Sequence, residues 1–303
     1  MRLVGLDLGG TSIKGGAVTE QGEILERRSI DIDHARSASA LIDDLAGLSR
    51  DLGVGSSVGL GAPGLFDRER GVVLESPNLG FLEGVAMRGE LARRLSLDES
   101  AVVLENDANA AAIGEHWAGA GRGESDLLMV TLGTGVGGGF ILGGELYSGA
   151  GGMAGEVGHV VVDPAGPACG CGARGCLETL ASATAVRRRA VALGLPRDQP
   201  GNLVLLAEIA RRGAGPERDL FSQVGLDLGR GLAAVVTLLD VRLFVIGGGF
   251  GAALDVLEPG IREGLAERSY GRRLEQVRIA PAALGADAGW MGAARLTLSF
   301  PPR

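Results

Sequence analysis

"LDLGGTSIKGGAVTEQGEIL", residues 6–25, begins strand-like, turns through Gly9, Gly10 and Thr11, returns over Gly15–Val18 and turns again at Gly22 and Glu23. This is the pattern of a β-hairpin with glycine at its bend. "VTLGTGVGGGFILGGEL", residues 130–146, repeats it, with Gly133, Thr134 and Gly135 at the first turn and Gly144 and Glu145 at the second. Two similar hairpins lie about half a chain apart, and 303 residues suffice for two lobes.

A tight Gly/Thr turn between strands aims backbone N–H groups and a hydroxyl at one spot with no side chain in the way, which suits a phosphate oxygen. Two such turns facing each other can grip a polyphosphate. With 53 glycines in the chain, short glycine patterns also arise by chance, and a plain hairpin is the competing explanation for each turn alone. No GxxxxGK[ST] occurs, so a P-loop does not hold nucleotide here.

Outward from the hairpins, strand-like and helix-like segments alternate along the whole chain, as in an α/β protein. Strands are predicted over 3–8, 15–18, 24–30, 57–61, 102–105, 127–132 and 243–246, and helices over 38–52, 87–95, 108–118, 183–193, 203–212 and 221–239. A third glycine cluster, "LFVIGGGFG" (residues 243–251), precedes a helix-like stretch starting near Ala252. Gly247, Gly248 and Gly249 let a flat ring or ribose approach the backbone, or simply make a tight strand-to-helix turn.

The composition, 46% apolar and 22% charged, is that of a soluble globular protein. Asp7 interrupts the N-terminal apolar run before it can serve as a signal peptide. The longest uncharged run, 127–144, contains seven glycines and is no membrane helix. A cytoplasmic location is expected, with no membrane partner. The net charge of −8 argues against nucleic acid bound through a broad basic surface. Lys14, inside the first hairpin, is the single lysine among 29 basic residues.

Polar residues that can do chemistry fall in two places. In "AVVLENDANAAAIGEHW" (residues 101–117) a strand runs straight into an alanine-rich helix, with Asn106 and Asp107 at the junction. Asp107 suits a helix N-cap; equally, a carboxylate at the carboxyl end of a strand can take a proton from a substrate hydroxyl. The second place is "CGCGARGCLE" (residues 169–178), which holds all three cysteines. With His159, ten residues earlier, Cys169, Cys171 and Cys176 form a Cys₃His set suited to tetrahedral zinc. Scattered buried thiols are the alternative. A zinc here would pin Glu156, His159 and Glu178 relative to one another, and carboxylates so arrayed accept hydrogen bonds from the vicinal hydroxyls of a polyol.

These motifs together resemble the ROK family of sugar kinases and sugar-responsive repressors, and within it the bacterial glucokinases. "DLGGTSIK" (7–14) matches its first phosphate motif, "ENDANAAAIGE" (105–115) its catalytic motif and "LGTGVGGG" (132–139) its second phosphate loop. "GEVGH" (155–159) and "CGCGARGCLE" match its sugar and zinc signature, and "LGADAGWMGAA" (284–294) its C-terminal helix. The resemblance implies a two-lobed α/β fold of the ribonuclease-H/actin/hexokinase type closing over a cleft, with residues 1–110 and 288–303 in the smaller lobe and 111–287 in the larger. It implies ATP-dependent phosphorylation of a hexose 6-hydroxyl, glucose foremost, with Asp107 as general base. Asn78, Asn106, Glu156, His159 and Glu178 would hold the other hydroxyls. Gly9–Thr11 and Gly133–Gly135 would hold ATP phosphates, Gly247–Gly249 would lie near the adenosine, and Asp7 would face magnesium; Lys14 belongs to the motif. A homodimer or homotetramer is the expected assembly.

One departure concerns the sugar side. Family glucokinases commonly carry Asn-x-x-Gly-Trp where this chain has "SPNLGF" (76–81), one residue shorter and with Phe81 for tryptophan. Fructose, mannose, N-acetylglucosamine and N-acetylmannosamine are therefore alternative acceptors. Family repressors carry a helix-turn-helix ahead of the first phosphate motif, which here begins six residues from the start, and a DNA-reading role is not expected.

Overall fold

Two short, nearly continuous buried runs joined by a glycine bend make the first two strands a hairpin: β1 (Arg2–Leu8) pairs antiparallel with β2 (Ser12–Thr19), with Asp7 opposite Lys14. The computed structural model describes residues 1–33, 37–76, 79–269 and 274–299. Next come β3 (Ile24–Asp31), α1 (Ala38–Asp51), β4 (Val58–Ala62), β5 (Leu65–Asp67), β6 (Val72–Glu75), α2 (Met87–Leu95), β7 (Val102–Asn106) and α3 (Asp107–Ala118). The second half runs β8 (Leu127–Leu132), β9 (Val136–Leu142), β10 (Glu145–Tyr147), α4 (Leu177–Ala181), α5 (Ala183–Ala192), α6 (Leu203–Arg212) and α7 (Pro216–Leu239). It ends with β11 (Leu243–Gly247), α8 (Leu254–Arg268), β12 (Arg278–Pro281) and α9 (Ala288–Leu296).

Contacts divide the chain into two units: Met1–Ser125, Gly139–Ala154 and the segment from Ala283 onward form the first, Asp126–Gly138 and Gly155–Ala282 the second. The expected division at 110/111 and 287/288 is not the one found. A break at residue 110 would cut α3, which stays whole because it packs on α9: a Cβ on Gly114 would lie 2.3 Å from the Ala288 carbonyl oxygen. The returning segment starts at Ala283 because the Glu115 carboxylate of α3 accepts the N–H groups of Ala283 and Leu284, at 3.0 and 2.7 Å. The division passes through β9, a regular strand.

In the first unit the sheet order is β3-β2-β1-β4-β7, antiparallel through β3-β2-β1 and parallel through β1-β4-β7. One face buries Leu6, Leu8 and Leu60 with Leu41, Ile42 and Leu45 of α1 and Leu91 of α2. The other receives α9, with Trp290 and Met291 against Leu3 and Val18. That helix lies unusually close to the sheet. A Cβ on Gly5 would come within 2.0 Å of the Trp290 carbonyl oxygen, and one on Gly59 within 1.9 Å of that of Ala293.

The second sheet runs β10-β9-β8-β11-β12, with β11 parallel to both β8 and β12. Helix α7 begins at Pro216, five residues before the position expected from apolar periodicity alone. Proline at its start and Glu217 and Asp219 in its first turn suit the N-terminal end of a helix. No helix among the described residues is long and apolar enough to cross a membrane.

Candidate active site

The carboxyl end of β7 delivers Asp107, and the helix cap falls to its neighbour. Asn106 keeps an extended backbone (φ −61°, ψ 145°), and its Oδ1 accepts the N–H groups of Ala108 at 2.9 Å and Asn109 at 3.2 Å. Asp107 is the first helical residue, not the cap. Its Oδ1 also accepts the Ala108 N–H at 2.9 Å. Burial pushes the Asp107 carboxyl above the usual range, against the pull of the Ala108 and Asp107 N–H groups. Asn106, with its oxygen used in the cap, retains only its Nδ2 for a substrate; that atom lies 3.5 Å from the Gly64 carbonyl oxygen.

The junction is braced by Glu105, a residue with no expected role in the chemistry. Glu105 is buried, and its Oε1 accepts from Arg68 at 2.6 Å, the Asn106 N–H at 2.9 Å and Asn109 Nδ2 at 3.0 Å. The signal available in the sequence was a charged residue in an otherwise apolar strand, which needs partners if buried.

Asp7 lies on β1 across from Lys14. Burial and the charge of Asp107 push its carboxyl up to about 7, with Lys14 opposing. Helix α9 crowds it, since a Cβ on Gly289 would lie 2.6 Å from Asp7 Oδ2. The adjoining turn is fixed by Gly9 N–H donating to the Ser12 carbonyl at 2.9 Å, with Thr11 exposed at its tip. Asn78 lies outside the described residues.

In the second unit His159, Cys169, Cys171 and Cys176 converge, their ligand atoms all within 4.8 Å of one another. Cys169 Sγ is 3.6 Å from His159 Nδ1, and Cys171 Sγ 3.6 Å from Cys176 Sγ. Zinc bonded at about 2.3 Å to sulfur and 2.0–2.1 Å to nitrogen would set tetrahedral edges of about 3.6–3.8 Å. The residues fit the ion. The Ala173 N–H and the neighbouring sulfurs draw the Cys171 thiol down to about 7, whereas burial and the same crowding push Cys176 up to about 12.

The strip is shaped by its backbone. Cys169 N–H donates to Ala173 and Gly175 N–H to Pro167, at 2.8 and 2.7 Å. Gly175 takes φ +65°, where a Cβ would overlap the Asp163 carbonyl oxygen at 1.5 Å. His159 Nδ1 faces the sulfurs while Nε2 sits 4.0 Å from Glu156 Oε2. One ring nitrogen thus serves the metal position and the other looks toward the carboxylate expected to bind sugar.

Beyond the last cysteine, Glu178 of α4 reaches the second glycine turn, where its Oε2 accepts the Val136 N–H at 3.2 Å. Gly133 and Thr134 line a cavity of ≈ 360 Å³, walled also by Thr184 and Arg187 of α5, Val204 of α6, and Phe250. Of the third glycine cluster, Gly249 lines this cavity with space where a side chain would be. Gly248 is exposed at φ +79°, and a Cβ there would lie 2.4 Å from the Leu132 carbonyl oxygen. Gly247 is buried at the end of β11.

Two five-stranded sheets flanked by helices, each carrying a glycine–threonine turn at consecutive strands, are the actin-like ATPase fold. The chain belongs to the ROK family, whose model matches residues 3–299. A glucokinase of Thermotoga maritima is 36% identical over 98% of this chain and 97% of its own length. An N-acetylmannosamine kinase of Escherichia coli is 32% identical over 84% of each chain. The crystal structure of a ROK family glucokinase from Streptomyces griseus, in complex with glucose and AMPPNP, superposes with a TM-score of 0.83 at 34% identity, covering 99% of this chain and all of that one.

Proposed function

We propose that this ROK sugar kinase transfers the terminal phosphoryl group of ATP to the 6-hydroxyl of glucose. The observation that carries the assignment is the placement of Asp107: a half-buried carboxylate at a strand's carboxyl end, with the helix cap taken by Asn106; burial also raises its affinity for a proton. Such a group takes up a hydroxyl proton more readily than a solvated aspartate does. Asp107 removes the proton of the 6-hydroxyl as the oxygen attacks the γ-phosphorus and the bond to the bridging oxygen of ADP breaks. Asn78, Asn106 through its Nδ2, Glu156, His159 and Glu178 hold the remaining hydroxyls.

Phosphoryl transfer asks a protein mainly for position and charge neutralisation. The N–H groups of the Gly9–Thr11 and Gly133–Gly135 turns serve the phosphates, and the cavity beside Gly249 takes the adenosine. Its volume suits a small-molecule site. Asp7 is the carboxylate for magnesium, an ion that typically keeps waters and is held by one or two carboxylates plus phosphates, and which when bound offsets phosphate charge. Zinc on the Cys₃His set is structural, closing the strip between Glu156 and Glu178.

Relatives at 36% and 32% identity carry different sugar names, so acceptor choice is the point at issue. One added or missing contact is worth only a few kcal/mol in discrimination. A coupled ADP-release assay over glucose, fructose, mannose, N-acetylglucosamine and N-acetylmannosamine tests it. Glucose is expected to give the highest kcat/KM; an equal or higher value for N-acetylmannosamine, or for any other sugar of the panel, overturns the glucose assignment.

A further inference from the structure

The segment leaving the metal cluster touches the second glycine turn at both ends. Ala183 N–H donates to the Gly133 carbonyl at 2.9 Å, and Glu178 Oε2 accepts the Val136 N–H at 3.2 Å. Between these anchors, a Cβ on Gly135 would lie 2.1 Å from Glu178 Oε2, so the carboxylate fills the space a side chain would take there. Helix α4 is itself tied down, since Arg188 and Arg189 of α5 donate to the carbonyls of Thr179 and Leu180 at 3.0 and 3.1 Å. Arg189 is held in turn by the buried Asp227 of α7 at 3.2 Å.

We propose that Glu178 is a positioning residue for the nucleotide turn as well as a sugar ligand: one oxygen sets the shape of Gly133–Val136, so nucleotide binding depends on Glu178 even with no sugar present. This rests on the reading that Gly133–Gly135 holds ATP phosphates. It makes α4 a clamp joining the metal strip to that turn. Losing the carboxylate leaves the Val136 N–H without its acceptor and frees the turn to take other conformations.

The test is titration calorimetry with Mg²⁺–AMPPNP in the absence of sugar. The wild-type chain is expected to bind; if it does not, the nucleotide assignment fails before the clamp is reached. Glu178→Ala is expected to weaken AMPPNP by roughly 10-fold, the loss of about one hydrogen bond to a charged group. Glu178→Gln keeps a carbonyl oxygen for Val136 and is expected to stay within about 3-fold of wild type for AMPPNP while losing glucose affinity. Gly135→Ala should weaken AMPPNP in the wild-type background and do so less in Glu178→Ala, where its clash partner is gone. Zinc content and melting temperature check that each variant is folded, and Glu178→Asp, whose shorter side chain draws the carboxylate back from Val136 and is expected to weaken AMPPNP as Glu178→Ala does, carries the test if Glu178→Ala is not. Unchanged AMPPNP affinity in Glu178→Ala with glucose affinity lost, or strictly additive effects of the two substitutions, overturns the proposal.

Discussion

Asp107 stands close enough to Asp7 for its charge to add to burial in pushing the Asp7 carboxyl up to about 7, and Lys14, opposite in the ladder, only partly offsets them. The folded chain therefore holds a proton that an unfolded aspartate, with a pKa of about 3.9, has released. Raised in the folded state, this group contributes stability that is full below the unfolded pKa and is lost as pH rises through the folded one. The ligand-free chain should lose melting temperature between about pH 4 and pH 7 from this source. Asp7→Asn should flatten that part of the profile, and the upward-shifted Asp107 leaves some slope behind. Calorimetric scans at several pH values compare the two; parallel profiles would refute the coupling.

Separating cap from carboxylate gives a second prediction. Because Asn106 satisfies the Ala108 and Asn109 N–H groups, Asp107→Asn should fold normally and keep glucose affinity while turnover falls at least ~10²-fold, the lower range for loss of a general base. Asn106→Ala should instead lose about 1 kcal/mol of stability, the usual worth of an N-cap. Steady-state kinetics and urea unfolding on the two variants read these separately. Near-normal turnover in Asp107→Asn would remove it from the base role.

What could be foreseen from the sequence follows from how local each signal is. The two hairpins, the β7–α3 junction and the Cys₃His set are encoded within a few residues each, by glycine bends, a polar residue at a strand end, and clustered thiols. Strand and helix positions that carry strong periodicity lie within a few residues of expectation, as at β8 (Leu127–Leu132) and α6 (Leu203–Arg212). The role of Asn106 as cap was hidden because Asn and Asp are equally good caps, and only backbone geometry chooses between adjacent ones. The unit boundaries depend on Glu115 reaching Ala283 and Leu284 across 168 and 169 positions, a pairing that no local pattern announces. Contact of Glu178 with Val136 is hidden for the same reason, being 42 residues apart.

The thiol cluster predicts metal dependence. Metal analysis should find about one zinc per chain, and Cys171→Ser should lose both the metal and sugar phosphorylation. Chelation should also lower the melting temperature, because a bound ion would close a strip that ends directly at α4, where Cys176 is fully buried. Removal of zinc with a strong chelator, followed by elemental analysis and scanning calorimetry, measures both. A metal-free preparation with full activity and an unchanged melting temperature would show that the thiols only pack.

Glu115 offers a prediction about stability away from the chemistry. Its side chain is fully buried, yet it is not a lone charge: Oε2 accepts the N–H groups of Ala120 at 2.8 Å and Ala283 at 3.0 Å, and Oε1 that of Leu284 at 2.7 Å. Gly119 leaves room for it, since a Cβ there would lie 2.1 Å from Oε2. Glu115→Ala strands three backbone donors and detaches the approach to α9, the helix that covers the first sheet. A hydrogen bond to a charged group is worth about 1.5–3 kcal/mol, and the losses within one cluster are not additive, so a total of roughly 3–5 kcal/mol is expected from denaturant unfolding. Glu115→Gln, which keeps one acceptor oxygen, should fall between the two. Since Glu115 faces Ala120, Ala283 and Leu284, the folded fraction of either variant should keep its KM for sugar. A loss of under about 1 kcal/mol in Glu115→Ala would mean that water replaces the carboxylate at no great cost.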